Sequence, residues 1–256
     1  MPDLEALCAG LLDGSIDLGI TAIDDWPLHL PFGVALAAVC ERQDPFDALL
    51  TRPPQTLGSL PEGATVYAHR AARFAQLIRH RPDLMILPDS GPPGQDVLDN
   101  PPDAIVLPMR DLEELDARQW SIARLDPEIM LPPPLQGISV ILAREDAGAL
   151  LGSIRDSLHQ PLVAAAAAAE AGFRAALAAE EDAPLAALAT WADEGEGGAV
   201  WMDLTVRILS PDGSQLLEGV TSERVNSEQH GRDLGAALAL DLVGQGALDL
   251  LDLSRG

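Results

Sequence analysis

The chain has 256 residues, 47% of them hydrophobic, and a formal net charge of −24 from 40 acidic and 16 basic residues. Its length suits one large domain or two to three small ones, with enough apolar residues for a sizeable core. The negative field repels phosphate backbones and anionic lipid, so we expect neither nucleic acid nor a membrane as partner. Every basic residue is an arginine, which excludes a Schiff-base lysine and the lysine of a P-loop.

The cysteines, histidines and terminal segments indicate no metal site and no membrane segment. Cys8 and Cys40 lie in Ala/Leu-rich stretches typical of small core residues, and no histidine pair has metal-ligand spacing. We therefore expect no bound metal. A charged leader and an apolar run of membrane-spanning length are both missing from the sequence. The expected location is the cytoplasm.

The first 157 residues have the pattern of an α/β protein. Apolar runs predict strands at 16–22, 34–40, 63–68, 84–87, 103–107 and 138–143. Amphipathic or acidic stretches predict helices at 3–13, 70–80 and 111–118. The proline-rich segment 131–137 is the predicted hinge, after which 138–143 is expected to return to the first lobe. We therefore predict a first lobe from 1–43 with 138–157, and a second lobe from 44–137.

From residue 158 to 256 the pattern changes to that of a small α+β domain. The alanine-rich segment 162–180 predicts a long helix. Two apolar segments, 200–209 and 214–224, flank Pro211-Asp212-Gly213, which predicts a β-hairpin. A further amphipathic helix is expected at 228–243.

Two segments carry candidate chemistry. Asp24 and Asp25 follow a buried strand, where open α/β sheets place ligands, so they could act in acid–base chemistry or stabilise a cation. The alternative, which composition alone favours, is that they are turn formers before Pro27. Arg70 and Arg73 share one face of the predicted helix after the next strand and could hold carboxylates, although a solvated face is the alternative. Nucleophile-elbow and dinucleotide-binding motifs do not occur in the sequence.

Several segments together resemble one family. Residues 9–27 (AGLLDGSIDLGITAIDDWP) resemble a helix and strand ending in H-S-x-K-D-x-P, and 36–48 (LAAVCERQDPFDA) resemble L-x-x-V-x-E-R-x-D-P-R-D-A. Residues 59–84 follow L-P-x-G-x-x-V-G-T-S-S-L-R-R-x-x-Q-L…R-P-D-L, and 131–137 follow L-P-x-x-G-Q-G. Matches continue to 211–215, in order. The sequence is identified as a member of the porphobilinogen deaminase (hydroxymethylbilane synthase) family.

The resemblance implies a fold, a reaction and a cofactor. The fold is α/β, with two periplasmic-binding-protein-like lobes and a small α+β domain; the first lobe is incomplete because the family's N-terminal strand, helix and second strand have no counterpart. Such proteins condense porphobilinogen with release of ammonia, on a dipyrromethane cofactor attached to a third-domain cysteine. An aspartate stabilises cationic pyrrole intermediates, and basic residues bind acetate and propionate groups.

The predicted site residues follow from comparing the sequence with the family motifs, position by position. Asp25 matches the catalytic aspartate, but Asp24 replaces the lysine beside it. Thr21 falls in the same motif, Arg73 matches the second arginine of L-R-R, and Arg70 could substitute for the first; these three are the predicted substrate-binding residues. The cofactor cysteine's context aligns with 179–184 (AEEDAP), and no cysteine follows Cys40. We therefore expect no cofactor.

The leading hypothesis is a deaminase-like protein with impaired catalysis that binds a small anionic pyrrole-type ligand. One alternative is a divergent active enzyme with a non-covalent primer, using Asp25 and Arg73. Another is a non-enzymatic subunit that binds an anion or a partner. In that case a homo- or hetero-oligomer is expected to cover the first lobe.

Overall fold

The computed structural model describes residues 4–23, 26, 28–89, 97, 101–114, 117–180, 182–195 and 199–252. Within these ranges the strands form three separate sheets. The sheets follow one another along the chain, except that one late strand returns to the first sheet.

The first sheet has the order β1-β8-β2, from β1 (Leu18–Ala22), β8 (Ser139–Arg144) and β2 (Val34–Val39). The central strand β8 is antiparallel to both neighbours, which confirms that the segment after the hinge returns to the first lobe. Helix α1 (Leu4–Asp13) packs on β1, where Gly19 leaves room for the Leu7 side chain. Helix α3 (Ala149–Leu158) packs on β2.

The second sheet has the order β5-β4-β6-β3-β7. Its strands are β3 (Asp47–Thr51), β4 (Thr65–His69), β5 (Met85–Asp89), β6 (Ala104–Pro108) and β7 (Ser121–Arg124). Strand β4 is parallel to β5 and β6, whereas β3 is antiparallel to β6 and β7. Helix α2 (Ala71–His80) follows β4, so its N-terminus lies at the carboxyl end of that strand.

The predicted acidic helix at 111–118 is wrong in type. The structure has two short 3-10 turns instead, Met109–Glu114 and Ala117–Gln119. The segment holds several like charges within one turn of each other, which disfavours an α-helix, and 3-10 structure is common in such short pieces.

The third sheet has the order β11-β10-β9, from β9 (Leu185–Gly195), β10 (Ala199–Leu209) and β11 (Leu216–Arg224). The β10–β11 pair confirms the predicted hairpin. The sheet packs with α4 (Pro161–Ala176), α5 (Glu228–Val243) and α6 (Ala247–Asp252). Glycines allow α4 and α5 to pack closely, since a Cβ at Gly235 would collide with the carbonyl oxygen of Ala169.

The α/β class, with two lobes and a small α+β unit, is confirmed. The residue boundaries of the three predicted domains stay predictions; the sheets span 18–39 with 139–144, 47–124, and 185–224. Among the described residues, none of the helices is both long and apolar enough to cross a bilayer.

Candidate functional site

A cleft lies between the first two sheets, beside the hinge. Its cavity measures about 110 Å³. Residues after β1 form one wall, residues after β4 and β6 form the opposite wall, and hinge residues close the third side. The lining residues are Ala22, Ile23, His69, Arg70, Arg73, Pro108, Arg110, Asp111, Pro133, Pro134 and Gln136. Three strand ends and the hinge thus meet at one small, arginine-rich space.

Arg73, a predicted substrate-binding residue, forms part of the wall of this cleft but is only 1% exposed. Its Nε and one Nη donate to the two carboxylate oxygens of Asp47 at 3.0 and 3.1 Å. The same Nη also donates to the Gln136 side chain at 2.5 Å, and the other donates to the His69 carbonyl. Three nitrogens of the guanidinium are therefore engaged by the protein itself.

A second buried ion pair joins the hinge to the third sheet. Glu170, on α4, is fully buried and accepts from both terminal nitrogens of Arg42, at 2.6 and 3.2 Å. It also accepts from the backbone N–H groups of Leu135 and Ala189 at 2.6 and 2.8 Å. Arg42 in turn donates to the Gln136 carbonyl. Its full set of partners makes Glu170 a strong link between hinge and third sheet.

We call Arg42, Asp47, Arg73, Gln136 and Glu170 the junction. Gln136 connects its two halves, because its side chain bonds Arg73 and Asp47 while its carbonyl accepts from Arg42. The junction therefore links the second sheet, the hinge and the third unit through one continuous set of hydrogen bonds. The motif letters had marked Arg42 and Asp47, but not their role, because their partners lie far away in sequence.

Arg70 immediately precedes α2 and has φ 72° and ψ 133°. This conformation is costly for a residue with a side chain, by about 1–3 kcal/mol. Neighbouring hydrogen bonds hold it: the Arg70 carbonyl accepts from the N–H of Arg73, and the next N–H, of Ala71, donates to Asp182 at 3.0 Å. Asp182 belongs to the loop between α4 and β9, so the third unit fastens the strained turn.

Of the other two predicted site residues, Thr21 is described by the structure and Asp25 is not. Thr21 is buried in β1, where its hydroxyl donates to the carbonyl of Ala22 at 3.1 Å, and it is not among the residues lining the cleft. Asp25, and Asp24 beside it, lie outside the described residues. In sequence they directly follow Ile23, which does line the cleft. Their roles stay predictions.

The sequence did not point to Arg110, which lies shortly after the end of β6 and lines the same cleft. Its Nε donates to the carboxylate of Asp111 at 3.3 Å, and its side chain is 23% exposed. One terminal nitrogen is buried without a hydrogen-bond partner among the described residues. No family motif letter fell on this position, and only the sheet order, which sets β6 beside β4, could reveal it.

A larger cavity of about 560 Å³ lies behind the start of α2. It is lined mainly by the loop after α4, including Ala178, Glu180 and Asp182, together with Leu248 and Leu251 of α6. This loop corresponds to the segment where the family resemblance places the cofactor cysteine. Among its described residues it offers small apolar side chains and two carboxylates.

Two α/β lobes meet at a hinge beside the cleft, and a third, α+β unit is fastened to that hinge. Residues 4–151 match the family described as "Porphobilinogen deaminase, dipyromethane cofactor binding domain". Porphobilinogen deaminase of Paraburkholderia phytofirmans is 35% identical over 253 residues, covering 97% of this chain and 71% of that protein. The chain therefore belongs to the porphobilinogen deaminase family.

Solved structures give more distant similarities. A lipoprotein of Bacillus subtilis described as methionine-binding matches with a TM-score of 0.39 and 13% identity, over 62% of this chain and 77% of that one. A periplasmic binding protein of Salmonella typhimurium with high arginine specificity matches with a TM-score of 0.32 and 17% identity, over 60% and 69%.

The family match corrects one expectation. We expected no cofactor, and this is wrong at the level of the family, because the matching domain is one that binds a dipyrromethane. The residues present fit that group only in part. Arg70 and Arg110 at the cleft suit its carboxylates. The two thiols do not suit its attachment: neither lines the cleft, Cys8 is buried, Cys40 is half-buried, and burial raises the pKa of both.

Proposed function

We propose that this member of the porphobilinogen deaminase family binds an anionic pyrrole-type ligand in the interlobe cleft, and that its condensation activity is impaired. One observation carries the proposal: the arginine that matches the family motif, Arg73, is buried and held by Asp47 and Gln136. It supports the frame of the cleft, and the remaining cationic lining is small.

Charge around the cleft supports binding. The chain carries a net charge of −24, yet three arginines, Arg70, Arg73 and Arg110, line a single cavity together with one acidic residue, Asp111. Because Arg73 is paired with Asp47, the proposed attraction for an anion comes from Arg70 and Arg110. Guanidinium groups bind carboxylates through two parallel hydrogen bonds, which suits the acetate and propionate groups of a pyrrole acid.

The replaced motif residues support impairment. Asp24 stands where the family motif has a lysine, and Ala72 stands where it has the first arginine. A hydrogen bond to a charged group contributes about 1.5–3 kcal/mol, so losing several together greatly weakens stabilisation of a charged intermediate. Asp25 is retained, and its proposed role is to stabilise the positive charge of a pyrrole.

The test separates binding from turnover. Purified protein is titrated with porphobilinogen by calorimetry, and porphyrin formed after oxidation is then measured by absorbance, with the Paraburkholderia phytofirmans enzyme as positive control. We expect saturable binding and no product above the protein-free control. Absence of binding contradicts the proposal. Product formation that Asp25→Ala abolishes contradicts impairment and favours a divergent active enzyme.

A further inference from the structure

Arg110 is an unassigned charge in the cleft. Its guanidinium makes one hydrogen bond, of 3.3 Å, to the adjacent Asp111, and one terminal nitrogen is buried with no partner among the residues described. A buried, unsatisfied donor on a charged group is costly, and such groups in native structures usually meet an ion, water or ligand. Among the described residues, this donor therefore has no acceptor, and a ligand in the cleft would supply one.

The size of the cavity limits that acceptor. The cleft measures about 110 Å³. One water occupies roughly 30 Å³ of liquid, so the space holds a small anionic group, such as a carboxylate, and little more. A larger ligand has to extend out of the cleft towards solvent, with one of its acid groups inside.

Arg70 faces the same space from the neighbouring strand end. Strands β4 and β6 are adjacent and parallel, so residues directly after them lie side by side at one edge of the sheet. Glycine would adopt a φ of 72° without strain, yet the chain has an arginine at this position. Strained backbone of this kind concentrates at ligand sites, where the side chain has a use that offsets its cost.

We propose that Arg110, together with Arg70, forms a seat for one carboxylate of the ligand, in place of the arginine that the family motif has at Ala72. This inference rests on the proposed function for the identity of the ligand, but not for the existence of the anion site. Asp111 is the internal competitor: it holds the Arg110 Nε when no ligand is bound and carries like charge to the incoming carboxylate.

The variants Arg110→Gln, Arg110→Lys and Asp111→Asn test the seat, with Arg155→Gln as matched control. Arg155 is an exposed arginine on α3, away from the residues that line the cleft, with one hydrogen bond of 3.3 Å to a backbone carbonyl. Affinity for porphobilinogen is measured by calorimetry, and circular dichroism checks that each variant is folded.

We expect Arg110→Gln to weaken binding by about 10- to 100-fold, which is the loss of one charge-assisted hydrogen bond. Arg110→Lys keeps the positive charge but loses the planar guanidinium that can form two parallel hydrogen bonds. Its affinity is therefore expected to fall between that of Arg110→Gln and wild type. Asp111→Asn removes the competitor and tightens binding. Arg155→Gln binds as wild type. Unchanged affinity in Arg110→Gln, with the protein folded, overturns the inference.

Inorganic phosphate is the second probe, because it tests the seat independently of pyrrole chemistry. We expect phosphate to raise the melting temperature of wild type and Arg155→Gln, but not of Arg110→Gln. If porphobilinogen does not bind wild type while phosphate shows this pattern, the seat stands and the proposed function fails. If phosphate protects Arg110→Gln as well as wild type, the seat itself is wrong.

Discussion

The junction and the cleft wall differ in how their charged residues are satisfied. In the junction, Glu170 and Asp47 are fully buried and every carboxylate oxygen has a donor. In the cleft wall, Arg70 has a strained backbone and Arg110 has a buried nitrogen with no partner among the described residues. Residues of the first kind stabilise a fold, whereas residues of the second kind are typical of a binding site.

The contrast between the junction and the cleft wall also shows which family motif residues the chain has kept. Arg42, Asp47, Arg73 and Gln136 fall on motif positions and hold the lobes, the hinge and the third unit together. The family motifs are changed at Asp24 and Ala72, and Arg110 and Arg70 line the cleft from other positions. The chain has therefore kept these framework residues of its family, while the arginines proposed to bind an anion lie outside the matching motif positions.

Removing Glu170 is expected to have the largest effect. In Glu170→Ala the Arg42 guanidinium and two buried backbone N–H groups lose their acceptor, which costs about 3–5 kcal/mol of unfolding free energy. Urea denaturation measures the loss. The control is Glu218→Ala, whose partnership with Arg207 is more exposed and should contribute only about 0–1 kcal/mol. Equal effects of the two variants would contradict the distinction between a buried junction and a surface pair.

Changing Arg70 to glycine is expected to have the opposite sign. Arg70→Gly relieves a φ of 72°, so we expect unfolding free energy to stay the same or rise by about 1 kcal/mol, while porphobilinogen affinity falls. The control is Ala178→Gly: Ala178 also has positive φ, at 47°, but does not line the cleft. It should gain stability with no loss of affinity. A marked destabilisation in Arg70→Gly would show that the residue belongs to the framework.

The smallest expected effect concerns the stability of the fold at acid pH, at an ion pair that belongs to neither the junction nor the cleft wall. Arg81 donates to Asp83 at 2.6 and 2.8 Å and holds the pKa of that carboxyl well below its ordinary value, at about 2. Because the folded pKa is depressed, this pair stabilises the fold above the ordinary carboxyl pKa, and that contribution is lost as pH falls towards 2.

Asp83→Asn should therefore lower stability slightly at neutral pH and flatten its decline between about pH 4 and 2. Thermal unfolding across this range measures the change. High salt should shrink the difference from wild type, since both partners are partly exposed. An acid limb identical to that of wild type would contradict the assignment.

Much of the fold could be predicted because apolar runs and turns are local signals. The hairpin around Pro211-Asp212-Gly213 and the return of β8 to the first sheet are confirmed. Strand β3, which begins at Asp47, was not predicted, because a charged residue opening a short strand looks like a turn. Asp47 is buried there only because Arg73 and Gln136, distant in sequence, satisfy its carboxylate.

The candidate site could likewise be predicted only in part from the sequence. The sequence identified Arg70 and Arg73 as neighbours on one helix turn, but not that Arg73 faces inward to Asp47 while Arg70 lines the cleft under strain. Arg110 carried no signal in the sequence. It reaches the cleft because β6 pairs with β4, a contact between segments separated by α2 and β5.

The sequence by itself determined the family, the α/β class, the absence of lysine and the departures from the ligand motifs, because each is a property of residue order or type. Tertiary structure alone decided which arginines are buried in the framework and which line the cleft. The physical reason is that the guanidinium is charged in every environment, and only its surroundings determine whether its hydrogen bonds are already made.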